Sequence, residues 1–445
     1  MKNNIELIDY KMIQKKYIAY VTFLSFIFVF NCCSSIPKTK YNNKEELFQK
    51  TIVWHAEENN VDGYRIPGIV ITPKGTVLAF AEERPEYGDE YPKSIVVKRS
   101  LDNGKTWSEN IYIELSNGNF WFQNKEKIDF RDNQKKFEVW TNPAALVDNL
   151  TGRIFIFYAL NEGLIDGQNL QRYTRVFYKF SDDDGLSWSD RIEITDILNS
   201  NEAGLPNRDA NGNWITDING FPCDYLGRAF HMPGPGHGIQ LSNGRLLLQF
   251  WNRTALGTFK KGETILDERR YGICAIYSDD HGETWKYGSS FAHNGLNGSE
   301  SRIAELQNGD IYLNTRYVKE KNSHRMIAYS YDKGITWRDI RIDRNFPLSN
   351  TCDAGLIALK HKKQDKTLLL YSKNESPEGR KNLVVRLSSD GGKSWPISKI
   401  VDEGPAMYSD LAVLTDNSIL LIYETRNNNP VYCVRFNLEW LKNNR

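Results

Sequence analysis

The 445-residue chain lacks the features that mark metal-, nucleotide- and nucleic-acid-binding proteins. Its six cysteines show no metal-ligand spacing. The glycine-rich run Met232–Leu241 has no Lys-Ser/Thr ending and so is not a phosphate-binding loop. Lys and Arg number 57 against 56 Asp and Glu, which leaves no basic surplus for nucleic acid. We therefore expect no cofactor, no metal ion and no nucleic-acid partner.

Long apolar runs are also absent, apart from Tyr17–Phe30 near the amino terminus. At 14 residues this run is short for a membrane span, and lysines precede it, as in an export signal. The two cysteines that follow, Cys32 and Cys33, predict a bacterial lipoprotein acylated on one of them, with plain secretion as the alternative. We expect a signal at residues 1–35, a charged linker at 36–50, and a periplasmic, outer-membrane or cell-surface protein. Its contact with the membrane would be through the lipid alone.

The other four cysteines, Cys223, Cys274, Cys352 and Cys433, are scattered along the chain. In an exported protein some of them could pair, but buried free thiols are at least as consistent with the spacing.

An eight-residue motif of the form Ser-x-Asp-x-Gly-x-Ser/Thr-Trp occurs five times. Each copy follows a strand-like run and supplies Asp and Gly for a tight turn, with a Trp that can fill the sheet. The copies are Ser100–Trp107, Ser181–Trp188, Ser278–Trp285, Ser330–Trp337 and Ser388–Trp395.

The repeat spacing predicts the architecture. Successive Trp residues lie 52 to 97 residues apart, which is more than one hairpin and fits about four strands per unit stacked radially. Since a ring must close, the first strand-like run (Thr51–Trp54) and the last (Val431–Phe436) should share one sheet. Two stretches, Asn117–Val139 and Leu198–Ala229, do not follow this rhythm; they are either surface loops or a rim around a central cleft.

The motif resembles the Asp-box of the sialidase family, glycoside hydrolase family 33, and the resemblance covers about residues 50 to 440. It implies an all-β, six-bladed β-propeller over residues 51–445. The boxes should be structural, with their Asp side chains holding turns, so function must be argued from other residues.

Three arginines would define the substrate. Arg65 lies in Tyr64-Arg65-Ile66-Pro67, Arg316 ends a strand after the third box, and Arg380 precedes the fifth. Converging guanidiniums form a bidentate site for a carboxylate, although any one of them alone is more typical of the surface. The resemblance implies that all three grip the carboxylate of a sialic acid.

The resemblance also implies the proton donor and its neighbours. Asp89, 24 residues beyond Arg65, matches the position of the general acid, and the nearby Glu90 is the competitor. Arg84 matches a residue on the side of the sugar's 4-hydroxyl. Asn142, followed by Pro143, stands where the family usually has an Asp.

The nucleophile is expected to be a tyrosine. A carboxylate nucleophile about 4 Å from the substrate carboxylate would be repelled by several kcal/mol, and a neutral phenol avoids this, as is established for sialidases. The resemblance implies Tyr408 as nucleophile, Glu300 as its base, and Glu424 as the partner of Arg65. Met407 departs from the small residue expected before the tyrosine, and Glu305 is a weaker candidate for the base.

These residues together predict a monomeric, retaining exo-α-sialidase acting on terminal α-linked sialic acids of glycoproteins, glycolipids and oligosaccharides. Alternatives are a hydrolase of a related ulosonic acid (Kdn or Kdo), an intramolecular trans-sialidase, and a non-catalytic propeller that binds sialylated glycans.

Overall fold

The first and last strands of the chain pair with each other and close a ring of six sheets. The structure is a computed structural model that describes residues 45–86, 88–89, 91–123, 137–165, 168–217, 219–254, 271–292, 297–318, 321–361, 366–426 and 430–443. All elements named below belong to the compact unit Leu47–Arg445. The signal, the lipidation cysteines and Glu90 lie outside the described residues.

Each of the six blades is built on four antiparallel strands, which follow chain order from the axis outwards in blades I to V. Blade I contains β2 (Gly63–Ile71), β3 (Val77–Arg84), β4 (Ser94–Ser100) and β5 (Ile111–Glu114). Blade II contains β6 (Trp140–Val147), β7 (Ile154–Ile165), β8 (Gln168–Ser181) and β9 (Ile192–Glu193), with the short β11 (Gly236–His237) added in parallel to β6. Blade III contains β10 (Arg228–Pro233), β13 (Leu246–Thr254), β14 (Tyr271–Ser278) and β15 (Lys286–Tyr287), with β12 (Ile239–Gln240) and β16 (Phe291–Ala292) at its sides.

The second half repeats this order. Blade IV contains β17 (Gly298–Glu305), β18 (Ile311–Tyr317), β20 (Arg325–Ser330) and β21 (Arg338–Asp343); blade V contains β23 (Gly355–His361), β24 (Lys366–Asn374), β25 (Lys381–Ser388) and β26 (Ile397–Pro405). Blade VI contains β27 (Ser409–Val413), β28 (Ile419–Glu424), β29 (Val431–Phe436) and, as its outer strand, β1 (Phe48–Trp54). A two-stranded ladder of β19 (Asn322–Ser323) and β22 (Ser349–Asn350) lies beside blades IV and V.

Ring closure by the terminal strands confirms the expectation from sequence, with one difference in extent. Strand β1 begins at Phe48, three residues before the predicted boundary at residue 51, and pairs with β29 from Phe48 to Trp54. The added residues belong to the sheet because the Phe48 ring stacks on Trp440, 4.8 Å between centroids. The Asn437 side chain also accepts a hydrogen bond from the Leu47 N–H at 3.1 Å.

All five Asp-boxes are turns, as their sequence predicted, and each lies between the third and fourth strands of its blade. In the third box, Asp280 Oδ1 accepts hydrogen bonds from Ser278 Oγ at 2.7 Å and from the Thr284 N–H at 2.9 Å. Gly282 sits at φ +85°, and a Cβ there would lie 2.2 Å from the Phe155 ring. Blade VI has no box because its third and fourth strands, β29 and β1, are not consecutive in the chain. No turn joins them.

The box tryptophans fill the space between neighbouring blades. Trp285 of blade III packs edge-on against Phe155 and Phe157 of blade II, with centroids 5.5 and 5.0 Å apart. Trp395 of blade V likewise lies 6.5 Å from Tyr312 of blade IV. The hydrophobic core is therefore a ring of inter-blade layers rather than one central cluster.

Helices are few and short in the described part of the chain: a 3-10 turn at Ala56–Asn59, α1 (Asn119–Gln123), α2 (Thr195–Leu198) and α3 (Leu438–Lys442). No helix among the described residues has the length and apolarity needed to cross a membrane. Cys223, Cys274, Cys352 and Cys433 are all free and buried, which settles the open question of their pairing.

The stretch Leu198–Ala229 is an ordered stack of turns rather than an open loop. Turns begin at Asn201, Asp209, Asp217 and Asp224, and in each the N–H of the glycine three residues later donates to the first carbonyl at 2.9–3.0 Å. Among the described residues of this stretch and of 117–139, none lines the cleft described below.

Candidate active site

The predicted functional residues meet at one mouth of the central axis. In every blade the start of the first strand and the end of the second reach the same edge, because the strands are antiparallel. The structure places eight of the nine predicted residues in a cleft of about 210 Å³: Arg65, Arg84, Asp89, Asn142, Glu300, Arg316, Arg380 and Tyr408. The ninth, Glu424, lies behind the cleft against Arg65. The Asp-boxes occupy the opposite edge, where the third strands end.

Arg65 is held by Glu424. Arg65 Nη2 donates to Glu424 Oε1 at 2.8 Å, and the same fully buried carboxylate accepts the Ile66 N–H at 2.8 Å and the Tyr408 N–H at 3.3 Å. One side chain therefore fixes an arginine of blade I and the backbone that carries the tyrosine of blade VI.

The backbone at Ile66 explains how Arg65 is aimed. Ile66 has φ +55°, an uncommon conformation for a β-branched residue, and the register of β2 against β3 shifts between Arg65 and Gly68. This bulge turns the strand, and such strain persists only where surrounding contacts hold it, here the hydrogen bond from the Ile66 N–H to Glu424.

Tyr408, Glu300 and Arg316 form one hydrogen-bonded group. The Tyr408 hydroxyl donates to Glu300 Oε1 in a very short contact. Arg316 Nη1 donates to Glu300 Oε2 at 2.7 Å and to the Tyr408 hydroxyl at 3.1 Å. Burial, and then the adjacent Glu300 carboxylate, hold the pKa of Tyr408 well above its usual range against the opposing effect of the arginines. The phenol is therefore neutral at physiological pH, with a proton acceptor in place.

Arg380 is the third arginine of the group. Its guanidinium carbon lies 5.7 Å from the centre of the Tyr408 ring, the same distance as that of Arg65. Its hydrogen bond is to a carbonyl, that of Thr351 at 3.2 Å, and no carboxylate pairs with it in the part of the chain the structure describes. An anion in the cleft would complete its coordination.

Asp89 lies at the rim under the influence of three cations. Its Oδ1 accepts a hydrogen bond from Arg84 Nη1 at 2.9 Å and lies 3.9 Å from Arg65 Nη1. Burial alone would raise the pKa of this carboxyl, but Arg84, then Lys93 and Arg65, lower it to about 2. Asp89 is therefore ionised when the cleft holds no ligand.

Asn142 occupies a bulge on β6 that parallels the one at Ile66. It has φ +53° before Pro143, and its N–H donates to Glu82 Oε1 at 2.8 Å. Its side-chain amide donates to the Pro233 carbonyl at 3.4 Å. In blades I and II alike, a left-handed residue before a proline is fixed by a buried glutamate.

Sequence reasoning missed Glu82 and Lys93. Fully buried Glu82 pairs with Arg84 through both Nε and Nη2 and accepts from Thr141 Oγ1 at 2.6 Å. Lys93 Nζ donates to the Asp89 carbonyl at 2.8 Å. The sequence offered one sign of the Glu82–Arg84 pair: the two residues are two apart on β3, and residues two apart on a strand share a face.

The apolar part of the lining comes mainly from blade III, with Phe230, Met232, Trp251 and Tyr271, while blades II and IV add the polar Thr141, Asn161 and Ser299. Glu305, the weaker candidate for the base, and His237, in the glycine-rich run, lie elsewhere. Glu305 ends β17 and accepts from the Ser242 N–H and hydroxyl, so it is not near Tyr408. His237 is buried and pairs with Asp410 at 3.0 Å, away from the cleft lining.

Comparison with known proteins agrees with this geometry. Residues 110–421 match the family described as BNR repeat-like domain. The chain belongs to this BNR repeat-like family. Its curated relatives include the sialidase of Micromonospora viridifaciens, 29% identical over 395 residues, and that of Bacteroides fragilis, 28% over 390. These alignments cover 85% and 84% of this chain but only 52% and 62% of the relatives, so the chain spans little more than half of their length.

Solved structures place this BNR repeat-like chain among sialidase-type propellers. The Hadza microbial sialidase Hz136 superposes with a TM-score of 0.68 at 26% identity, over 88% of this chain and 69% of that one. The intramolecular trans-sialidase from Ruminococcus gnavus superposes with a TM-score of 0.64 at 18% identity, over 88% and 98%, and shows the fold alone. The expected six-bladed propeller and the resemblance to bacterial sialidases are confirmed.

Proposed function

We propose that the protein is a retaining exo-α-sialidase that hydrolyses terminal α-linked sialic acids from glycoproteins, glycolipids and oligosaccharides. One observation carries the proposal: Arg65, Arg316 and Arg380 converge on a buried tyrosine whose hydroxyl donates to a glutamate. The sialidase relatives support the same activity.

The arginines select the substrate by its charge. Arg65 is already paired with Glu424, and Arg316 with Glu300. These two carboxylates orient the guanidiniums and remain in place when the substrate binds. Arg380 contributes a positive charge without a carboxylate partner in the described part of the chain. A sugar carboxylate binding to all three would supply that missing negative charge, as bidentate arginine sites do.

A neutral nucleophile suits such a substrate. The anomeric carbon of a sialic acid carries the carboxylate, and an anionic nucleophile close to it would be repelled by several kcal/mol. The Tyr408 oxygen attacks this carbon as its proton passes to Glu300, to which it already donates. The bond to the leaving oxygen breaks, and a covalent tyrosyl glycoside forms.

Asp89 completes both half-reactions. It gives its proton to the departing oxygen, then takes one from the water that attacks the glycosyl intermediate, while Tyr408 recovers its proton from Glu300. Two inversions at the anomeric carbon give net retention. In the free cleft Asp89 is ionised, and the negative charge of the bound substrate beside Arg65 raises its proton affinity.

The direct test is Tyr408→Phe, assayed with a 4-methylumbelliferyl sialoside. Loss of the nucleophile should reduce kcat by at least about a thousandfold. Tyr331→Phe is the matched control, because Tyr331 is an exposed tyrosine in an Asp-box turn and should keep wild-type turnover. Near-wild-type activity in Tyr408→Phe would reject the assignment.

Product identity separates the proposed reaction from its neighbours. Released sugars from α2,3-, α2,6- and α2,8-linked substrates should be free sialic acid, with the α anomer formed first when followed by NMR. A 2,7-anhydro product would indicate intramolecular transfer, and release of Kdn or Kdo alone would indicate another ulosonic acid. Saturable binding without turnover would indicate a binding propeller.

For the cellular setting we propose an exported monomer attached to the membrane by a lipid on Cys32 or Cys33. The apolar run and the adjacent cysteines support this. Replacing both cysteines by serine should move the protein from the membrane to the soluble exported fraction. Unchanged fractionation would contradict lipidation.

A further inference from the structure

Lys93 is a buried cation at the base of the loop that carries Asp89. Only 1% of it is exposed, and its Nζ donates to the Asp89 main-chain carbonyl at 2.8 Å. Its own backbone is fixed to blade II, since its N–H donates to the Glu138 carbonyl at 3.1 Å and its carbonyl accepts from the Trp140 N–H at 3.3 Å. The side chain thus connects the position of Asp89 to the frame of the neighbouring blade.

The charge on Lys93 is unfavourable where it lies, so packing alone does not explain it. Burial, followed by the nearby Arg84, lowers its pKa to about 8, while Glu82 and Asp89 oppose this and Arg65 adds to it. Within the described part of the chain its ion pair is with Glu82 Oε2 at 3.8 Å, and that oxygen is already engaged by Arg84. A buried ammonium whose ion pair is long and shared with another cation is costly, and here its hydrogen bond goes to the main chain of the residue that would donate the proton.

We propose that Lys93 is a positioning residue for the proton donor: its ammonium fixes the backbone of Asp89 so that the carboxyl stays beside Arg84 at the rim of the cleft. The inference rests on the proposed function and deepens it. Lys93 would act only through Asp89. Its loss should therefore lower kcat/KM most for substrates whose leaving group must be protonated.

The test compares Lys93→Met with wild type on two kinds of sialoside. For 3′-sialyllactose, whose leaving oxygen must be protonated, the loss of position should outweigh the higher pKa that Asp89 gains without this cation. The kcat/KM should therefore fall at least about tenfold, a part of the 10²–10⁴-fold that a positioned acid supplies. For 4-nitrophenyl sialoside, whose phenolate leaves unaided, the fall should be less than about threefold. Lys93→Arg, which keeps the charge and a donor, should recover part of the loss.

Lys98→Met is the matched control. Lys98 is a second buried lysine, on β4, that pairs with Glu58 at 2.8 Å away from the cleft. Lys98→Met should leave unchanged the ratio of the kcat/KM values for the two sialosides. In an Asp89→Asn background, Lys93→Met should have no further effect on that ratio.

Equal losses on both substrates, or no loss on either, would overturn the role given to Lys93, because a purely structural defect lowers both rates alike. Wild-type protein that cleaves neither sialoside would instead contradict the proposed function. The two failures are therefore distinct.

Discussion

The two faces of the propeller hold aspartates of similar acidity by different means. In the Asp-boxes, the hydroxyl and N–H of Ser187 lower the pKa of Asp183 to about 2, and those of Thr284 lower the pKa of Asp280 to about 2. In the cleft, the pKa of Asp89 also reaches about 2, but there Arg84, Lys93 and Arg65 overcome the effect of burial. The boxes use fixed dipoles within one turn, whereas the cleft uses cations from several strands.

This difference separates a structural carboxylate from the one that we propose is catalytic. Hydrogen bonds from a turn of eight residues do not change when a ligand arrives on the opposite face. The charge around Asp89 does change, because an anion that binds Arg65 neutralises part of the field that keeps the carboxyl ionised. In the proposed mechanism, substrate binding therefore raises the proton affinity of the cleft aspartate and not that of the box aspartates.

Among the charged residues that this comparison concerns, the largest expected effect comes from removing Arg380, which has no carboxylate partner in the described part of the chain. Arg380→Met should lower kcat/KM by about 10²–10³-fold, because charge-assisted bonds to the substrate carboxylate are lost. Arg380→Lys should recover only part, since lysine offers a point charge rather than a planar fork. Steady-state kinetics on 4-methylumbelliferyl sialoside measures both.

The control is Arg245→Met on the box face, where Arg245 pairs with Asp279 at 2.7 Å. It should keep wild-type kcat/KM. A comparable loss in both variants would show that the cleft arginine has no special role in binding the carboxylate.

A smaller effect is expected from pH. Free Asp89 must gain a proton to act as the acid, and its low pKa means that the protonated fraction falls as pH rises. From about pH 6 to about pH 8, kcat/KM for 3′-sialyllactose should therefore fall, by up to tenfold per unit, and that for 4-nitrophenyl sialoside should fall less. A rate that rises with pH for the lactoside would contradict the assignment of Asp89.

The smallest effect on catalysis should come from the boxes. Asp280→Ala removes the acceptor of the Thr284 N–H and hydroxyl, at 2.9 and 2.6 Å, and should lower Tm by about 2–5 °C. The kcat/KM of the folded variant should stay within about twofold of wild type. A large loss of activity at unchanged Tm would mean that the two faces are coupled.

Much of this architecture could be predicted from the sequence. Five boxes with their tryptophans marked five of the six blades. The resemblance of short motifs to those of sialidases picked out Arg65, Glu300, Arg316, Arg380 and Tyr408, which the structure brings together in the cleft. Both features are local patterns, and antiparallel strand order then determines which edge each pattern reaches.

The supporting contacts could not be predicted in the same way. Glu82 accepts the N–H at the Asn142 bulge, and Glu424, which was predicted only as the partner of Arg65, also accepts the N–H at the Ile66 bulge. Positive φ at these two residues leaves no mark in a hydrophobic pattern. In the sequence, Lys93 is simply the residue before a strand-like run. Its role depends on the position of the Asp89 carbonyl, which the sequence does not show. The stack of turns at 198–229 was missed as regular structure because it has turn residues but no apolar alternation.

The central claim is that an uncharged phenol forms the glycosyl bond, and trapping that bond tests it most directly. The protein would be incubated with 2,3-difluorosialic acid, digested, and its peptides analysed by mass spectrometry. We expect one sialosyl adduct, on the peptide that contains Tyr408 and on that residue, with none in Tyr408→Phe. An adduct on Asp89 or Glu300, or turnover of the reagent that leaves Tyr408 unlabelled in a rapid quench, would contradict the mechanism.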